Sequence, residues 1–428
     1  MVDEVVRIVG GRTLAGAVAI AGAKNAGLPL LAASLLTDEE VVLHRVPELR
    51  DIGFMGDILQ KLQGEFVHSG GTVRVRMENP RGNPDYDAVR LMRASVCVMG
   101  PLVARRGEVQ IPLPGGCVLG ARPIDLHLRG LERLGCSISL RNGLVHVAAR
   151  RLRGANIFLG GRHGSTVTGT ANVLCAAVLA EGITQIQSAA CEPEVVDLCH
   201  LLCKMGARID GIGSPTLTIE GVGRLHGAEH TLIPDRIEFG TFLLIALITH
   251  SDLVLPAIES VAHGALLDIL AQAGASIEVG PERTFIRGSA CELRPVELTT
   301  LPFPGFPTDL QAPMCALMTQ AAGISVLTER VYPSRFSHVA ELERMGGHIL
   351  LEGPSAIVRG PTKLSGAPVT ATELRGGACL YMAALAAEGE SVIRGVEHVD
   401  RGYENFDAKL RSIGAVVERE CLGQRLAP

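Results

Sequence analysis

The chain has 428 residues, 47% hydrophobic and 20% charged, enough for two or three domains with sizeable apolar cores. A net charge of −5 excludes a general nucleic-acid or anionic-membrane surface, so an anionic ligand must be held by a local cluster of cations. Tryptophan is absent and aromatic residues make up 3%, which leaves Leu, Ile, Val, Ala and Met to build the cores.

The N-terminal Met1-Val2-Asp3-Glu4 lacks the basic and apolar regions of a signal peptide. Residues 5–9 alternate like a strand, expected to pair back with the C-terminal half. Ala21-Gly22-Ala23-Lys24-Asn25-Ala26 then sets a lysine at a Gly-flanked helix start. The chain has only 5 lysines against 35 arginines, so Lys24 stands out. Helix N-termini attract anions and a lysine strengthens the pull; the plainer reading is a solvated cap. Arg93 opens an apolar helix predicted over 94–103, with a ligand or snorkelling to solvent as the alternatives.

Next comes Leu113-Pro114-Gly115-Gly116-Cys117-Val118-Leu119-Gly120-Ala121-Arg122-Pro123, a thiol on a Gly- and Pro-punctuated loop with an arginine five residues on. A guanidinium favours the thiolate and binds phosphate or carboxylate. The alternative is a buried, inert structural cysteine. The 11 cysteines are odd in number and lack paired metal-ligand spacing, which points to reduced thiols in a cytoplasmic enzyme without a metal. The longest apolar runs, such as 242–248, are far too short to span a bilayer.

One pattern recurs six times: an amphipathic helix, a small-residue turn and a β-branched strand. Its glycines stand at 64, 135, 206, 274, 346 and 414, each expected in the left-handed region that ends a helix. Ala-rich helices leading into strands alternate with these turns near 174–186, 314–326 and 382–393. Pro234-Asp235-Arg236 follows the third unit and is a candidate boundary. In the later units Asp309 follows Phe306-Pro307-Thr308 and, taken alone, reads as a helix cap. Arg335, Arg375 and Arg401 each lie between a strand and a helix, and their equivalent positions suggest convergence on one polyanionic ligand.

Together these segments closely resemble the enolpyruvyl transferases, most of all the branch acting on UDP-N-acetylglucosamine in peptidoglycan precursor synthesis. The likeness rests on Ala-Gly-Ala-Lys-Asn at 21–25, Met-Arg-Ala-Ser at 92–95, the Cys117 loop through 123, Glu-Pro-Glu at 192–194, Pro-Asp-Arg-Ile-Glu at 234–238, Phe-Pro-Thr-Asp at 306–309, Leu-Arg at 374–375 and Asp-Arg-Gly-Tyr at 400–403. It implies an α/β, two-lobed fold of the inside-out barrel type with six βαβαββ repeats, three per lobe. One lobe would span 23–233 and the other 1–22 plus 234–428, with the active site in the cleft. It implies phosphoenolpyruvate and a uridine nucleotide as substrates and no cofactor or metal. Lys24, Arg93, Arg122, Arg335, Arg375 and Arg401 would form a cationic cage, Asn25 would assist at phosphoenolpyruvate, and Asp309 would take the hydroxyl proton. Cys117 would act as general acid, form an adduct with phosphoenolpyruvate and be alkylated by fosfomycin. Arg122, Pro123, Ile124, Asp125 and Leu126 would hold the uracil, with Arg93, Asp309 and Val331 as further nucleotide contacts.

Two departures bear on the acceptor. The family's diphosphate loop is rewritten here as a stretch carrying Arg162, His163, Ser165, Thr166 and Val167, and Glu373 replaces the family's catalytic Asp before Leu-Arg. The extra methylene shifts a carboxylate in a site that needs tight positioning. Two acceptors therefore stand side by side: UDP-N-acetylglucosamine, and the 3′-hydroxyl of UMP as in nikkomycin- or polyoxin-type antibiotic biosynthesis. A non-catalytic uridine-nucleotide-binding paralogue is disfavoured because the cage residues and Asp309 are present. The branch acting on shikimate 3-phosphate lacks this Cys loop.

Overall fold

The computed structural model describes residues 3–84, 86, 89, 92–113, 124–257 and 260–422. The chain divides into two compact units, Met1–Ile20 with Asp235–Pro428, and Ala21–Pro234. The second is thus one continuous segment set into the first.

Among the described residues, each unit wraps three sheets around three largely buried helices. In the Ala21–Pro234 unit the helices are Lys24–Ala33, Met99–Arg106 and Val167–Ala177. In the other they are Arg236–Ile248, Gln311–Met318 and Leu374–Ala386. These helices are apolar around most of their circumference, and Gln311–Met318 is buried at every residue. A helix without a polar face belongs in an interior. Strands such as Thr216–Glu220 and Glu390–Arg394 instead alternate buried and exposed residues, so each presents one face to the core and one outward. Amphipathic helices such as Arg50–Lys61 and Asp125–Arg133 connect the strands.

Five of the six sheets share one plan: a short edge strand parallel to its neighbour, then two antiparallel pairings. In the sixth, the described residues give three antiparallel strands, Glu108–Pro112, Leu144–Ala148 and Ser137–Arg141. Asp3–Val9 pairs antiparallel with both Glu390–Arg394 and Val416–Leu422, joining the two ends of the chain.

Two sequence expectations need correction. Five of the six turn glycines have positive φ, but at the first turn the left-handed residue is Gln63 (φ 69°), one position before Gly64. Gly64 is needed there for space: a Cβ on it would stand 1.8 Å from Met77 Sδ. The helix predicted over 94–103 begins as a 3-10 turn, Arg93–Val98, and becomes α-helical only over Met99–Arg106. Pro101 is the cause. It has no N–H, so it fits only the first turn of an α-helix.

Candidate active site

Chemistry collects where the buried helices begin. Asp309 sits in the 3-10 turn Thr308–Leu310 that precedes Gln311–Met318. It caps nothing. Its Oδ1 accepts from Arg335 Nη1 at 2.8 Å and its Oδ2 from Arg375 Nη2 at 3.0 Å. Both arginine side chains are buried, whereas that of Asp309 keeps 27% exposure. Burial alone would raise the Asp309 pKa, but the guanidiniums of Arg375 and Arg335 override it and hold the carboxyl well below the usual range.

Arg375 is the second residue of Leu374–Ala386, and its guanidinium lies 5.2 Å from the ring centre of Tyr403. The Tyr403 hydroxyl pairs with Thr241 Oγ1 at 2.9 Å, and that hydroxyl donates to Ile237 O in the first turn of Arg236–Ile248. The starts of three buried helices therefore meet around two arginines. Arg335 Nε and Arg375 Nε and Nη1 are buried with no hydrogen-bond partner among the described residues. Spare charged donors beside helix N-termini are the makings of an anion site.

Glu373 is the cap that Asp309 is not. It precedes Leu374–Ala386 and accepts from the backbone N–H groups of Arg375, at 3.0 Å, and Gly376. Its Oε2 also lies 3.4 Å from Arg335 Nη2. Arg401 ends the turn Val396–Arg401, two residues before Tyr403. That turn is anchored by Arg419, which donates to both Asp400 oxygens at 2.7 and 2.8 Å. Val331 donates its N–H to Glu329 Oε1 at 2.8 Å.

His338 lies against this cluster, 2% exposed, with neither ring nitrogen partnered among the described residues. Burial lowers its pKa to about 4; Glu373 opposes the shift and Arg335 adds to it. The folded protein therefore binds fewer protons than the unfolded chain between pH 6.5 and about 4, and stability falls as pH drops through that window. The loss amounts to about 3 kcal/mol. His338→Leu is expected to keep stability at pH 7 and flatten this slope, read as Tm from pH 4 to 8; an unchanged slope would refute the assignment.

In the Ala21–Pro234 unit, Lys24 opens its helix as a buried side chain whose Nζ donates to Asp51 Oδ2 at 3.0 Å. This is a desolvated ion pair, and the solvated-cap reading does not hold. Asn25, beside it, is half-buried. Ile124 is buried, Asp125 exposed and Leu126 half-buried at the start of Asp125–Arg133. Arg162 and His163 form the exposed tip of a two-residue turn closed by Gly161 and Gly164. A Cβ on Gly161 would stand 2.9 Å from Leu126 Cδ1, so this turn packs on the 124–126 segment. Thr166 caps Val167–Ala177 by accepting from Gly169 N, and Ser165 is half-buried just before it. His127 ties the two helix starts together, contacting Asn172 Nδ2 at 3.0 Å and Thr168 Oγ1 at 3.2 Å.

Cys117, Arg122 and Pro123 lie outside the described residues, as does the side chain of Arg93. Among the described cysteines, burial pushes Cys136, Cys199 and Cys315 up to about 12, and Cys175 and Cys379 well above the usual value. Thiols so protonated are inert. Sequence reasoning missed Asp51, Thr308, Glu329 and His338. Only Asp51 carried a signal, an acidic residue in the first turn of a strongly amphipathic helix.

The model of the family described as EPSP synthase (3-phosphoshikimate 1-carboxyvinyltransferase) matches residues 8–410. The chain belongs to this family of enolpyruvyl transferases. The enolpyruvyl transferase is 48% identical over 412 residues to UDP-N-acetylglucosamine 1-carboxyvinyltransferase of Methylacidiphilum infernorum, covering 96% of this chain and 98% of that one. It is 49% identical over 414 residues to the protein of the same name from Akkermansia muciniphila, covering 96% and 97%. The solved enolpyruvyl transferase NikO from Streptomyces tendae superposes with a TM-score of 0.90 at 25% identity, covering 100% of both chains. EPSP synthase from Acinetobacter baumannii gives 0.74 at 19% identity over 98% of this chain and 100% of that one, a likeness of fold alone. Among the described residues of this transferase, no helix is long and apolar enough to cross a membrane.

Proposed function

We propose that the protein moves the enolpyruvyl group of phosphoenolpyruvate to the 3-hydroxyl of UDP-N-acetylglucosamine, releasing phosphate, in the synthesis of peptidoglycan precursors. The observation that carries this acceptor is identity of nearly one half, over 96% of the chain, to proteins of that name. The reaction is an addition followed by an elimination. The sugar hydroxyl loses its proton and adds to C2 while C3 takes a proton; departure of phosphate from C2 with loss of a proton from C3 then restores the double bond.

Such chemistry needs fixed cations for a phosphate and a carboxylate, a base and an acid. Arg335 and Arg375 supply spare buried donors beside the starts of three helices. In the free protein Asp309 serves as their stand-in anion. Arrival of phosphoenolpyruvate gives the guanidiniums another anion, and the Asp309 carboxylate regains the basicity to accept the hydroxyl proton. Lys24 adds a cation, Cys117 is the acid for C3, and Glu373 holds Arg335 from the helix cap. The uridine lies along 124–126, next to the Arg162–His163 turn. UMP as acceptor keeps two supporting observations, that rewritten turn and Glu373 in place of aspartate.

Phosphate release from phosphoenolpyruvate decides between the acceptors. Release with UDP-N-acetylglucosamine and none with UMP is expected; release with UMP alone overturns the proposal. Fosfomycin is expected to add its mass to the wild-type protein and not to Cys117→Ala. Equal labelling of both would remove Cys117 from the mechanism.

A further inference from the structure

Glu329 is completely buried at the end of the strand Gly323–Thr328 and takes no direct part in the site described above. Its Oε1 accepts from Thr300 Oγ1 at 2.6 Å and from the N–H groups of Val331 and Tyr332, both at 2.8 Å. Its Oε2 accepts from Thr308 Oγ1 at 2.8 Å. A buried carboxylate is costly unless its lone pairs are filled, and here four donors fill them. One carboxylate thus pins two turns: the one carrying Asp309 and the one carrying Val331 and leading to Arg335.

The polarity of these bonds matters most. A carboxylate only accepts, so the Thr308 proton must point at Glu329. That leaves the Thr308 oxygen free to accept from Arg335 Nη1, at 3.1 Å. The same Nη1 donates to Asp309 Oδ1 at 2.8 Å. A directed chain therefore runs from Glu329 through the Thr308 hydroxyl to the guanidinium.

We infer that Glu329 is a positioning residue for this transferase: it orients the Thr308 hydroxyl so that Arg335 is held in place beside Asp309. The inference rests on the reading that Arg335 and Asp309 act on phosphoenolpyruvate. In Glu329→Gln the amide oxygen keeps the three donors on one side, and the NH2 faces Thr308. The hydroxyl must then accept from the amide and turn its proton toward Nη1, donor against donor.

The test uses Glu329→Gln, Thr308→Val, Thr308→Ser and the double variant Glu329→Gln/Thr308→Val. Thr308→Val leaves Glu329 its bonds to Thr300, Val331 and Tyr332, so it tests the link even if Glu329→Gln folds poorly. Both single losses of the link are expected to lower kcat/KM for phosphoenolpyruvate about tenfold. Thr308→Ser restores it, and the double variant falls no further than the worse single. Wild-type kcat/KM in Thr308→Val, or additive losses in the double variant, overturns the inference. A second readout does not depend on turnover: binding of inorganic phosphate, measured by calorimetry. It is expected to weaken several-fold in Thr308→Val and to be normal in Thr308→Ser; unchanged binding in Thr308→Val overturns the positioning role whatever the acceptor proves to be.

Discussion

Asp309→Asn is expected to lower kcat by about 10²–10⁴-fold without raising the KM for phosphoenolpyruvate. The two halves of this result come from the same ion pairs. In the free protein both carboxylate oxygens of Asp309 are occupied by Arg335 and Arg375. In the proposed mechanism substrate anions compete with that carboxylate for the guanidiniums, so removing its charge removes a competitor and strengthens anion binding. Asparagine cannot take a proton, so the chemical step is lost. A plain binding role would give the opposite pattern, with KM raised and kcat kept. Steady-state kinetics in both substrates separate the two outcomes.

The same displacement predicts how rate depends on pH. Free Asp309 has a depressed pKa, so its contribution to stability is complete above the unfolded carboxyl value near pH 4. It is lost only as pH falls through the lower folded value. In the pH range of an assay the free protein's Asp309 does not titrate. Once substrate occupies the arginines, its pKa rises. The profile of kcat/KM reports the free enzyme and that of kcat the substrate complex. An acid limb in kcat lying above any acid limb in kcat/KM is therefore expected, and absent from Asp309→Asn.

Lys24→Met is expected to cost both activity and stability, and the two losses are separable. Lys24 and Asp51 are both more than 90% buried, and breaking a buried ion pair by removing one member costs about 3 kcal/mol. Under the proposed role of Lys24 as a preorganised cation at the reacting anion, its loss is expected to lower kcat/KM by about 10²–10³-fold. Adding Asp51→Asn removes the second charge of the pair. The double variant is expected to recover most of its Tm and none of its activity. Recovery of activity together with Tm would assign Lys24 a structural role alone.

The fold was legible because its repeat is physical. Each amphipathic helix must stop at a residue that tolerates the left-handed region, and a glycine at near-constant spacing marks that stop six times. Where Gln63 takes the left-handed place and Gly64 serves only to clear Met77, the marker slips by one residue. The site was less legible residue by residue. Asp309 and Glu373 both precede buried helices, and local pattern alone makes either one a cap. Only the tertiary structure separates them, turning Asp309 toward two guanidiniums and Glu373 toward two backbone N–H groups. The link that Glu329 makes to the site gave no local signal, because Thr300 and Thr308 lie 29 and 21 residues away in sequence. His338 was equally silent: an isolated histidine in an amphipathic helix says nothing about what surrounds its ring.

The order of the two units along the chain fixes an order of assembly. Every sheet pairing of the Ala21–Pro234 unit lies between residues 41 and 231, and its two ends meet where Gly22 bridges Pro234. On the ribosome this unit can complete its hydrogen bonding soon after residue 234 emerges. Asp3–Val9 has no such prospect: it is made before that unit, and its neighbours Glu390–Arg394 and Val416–Leu422 are made after it. Asp3–Val9 therefore carries two unpaired edges while the whole Ala21–Pro234 unit is made, and pairs only when residues beyond 390 emerge.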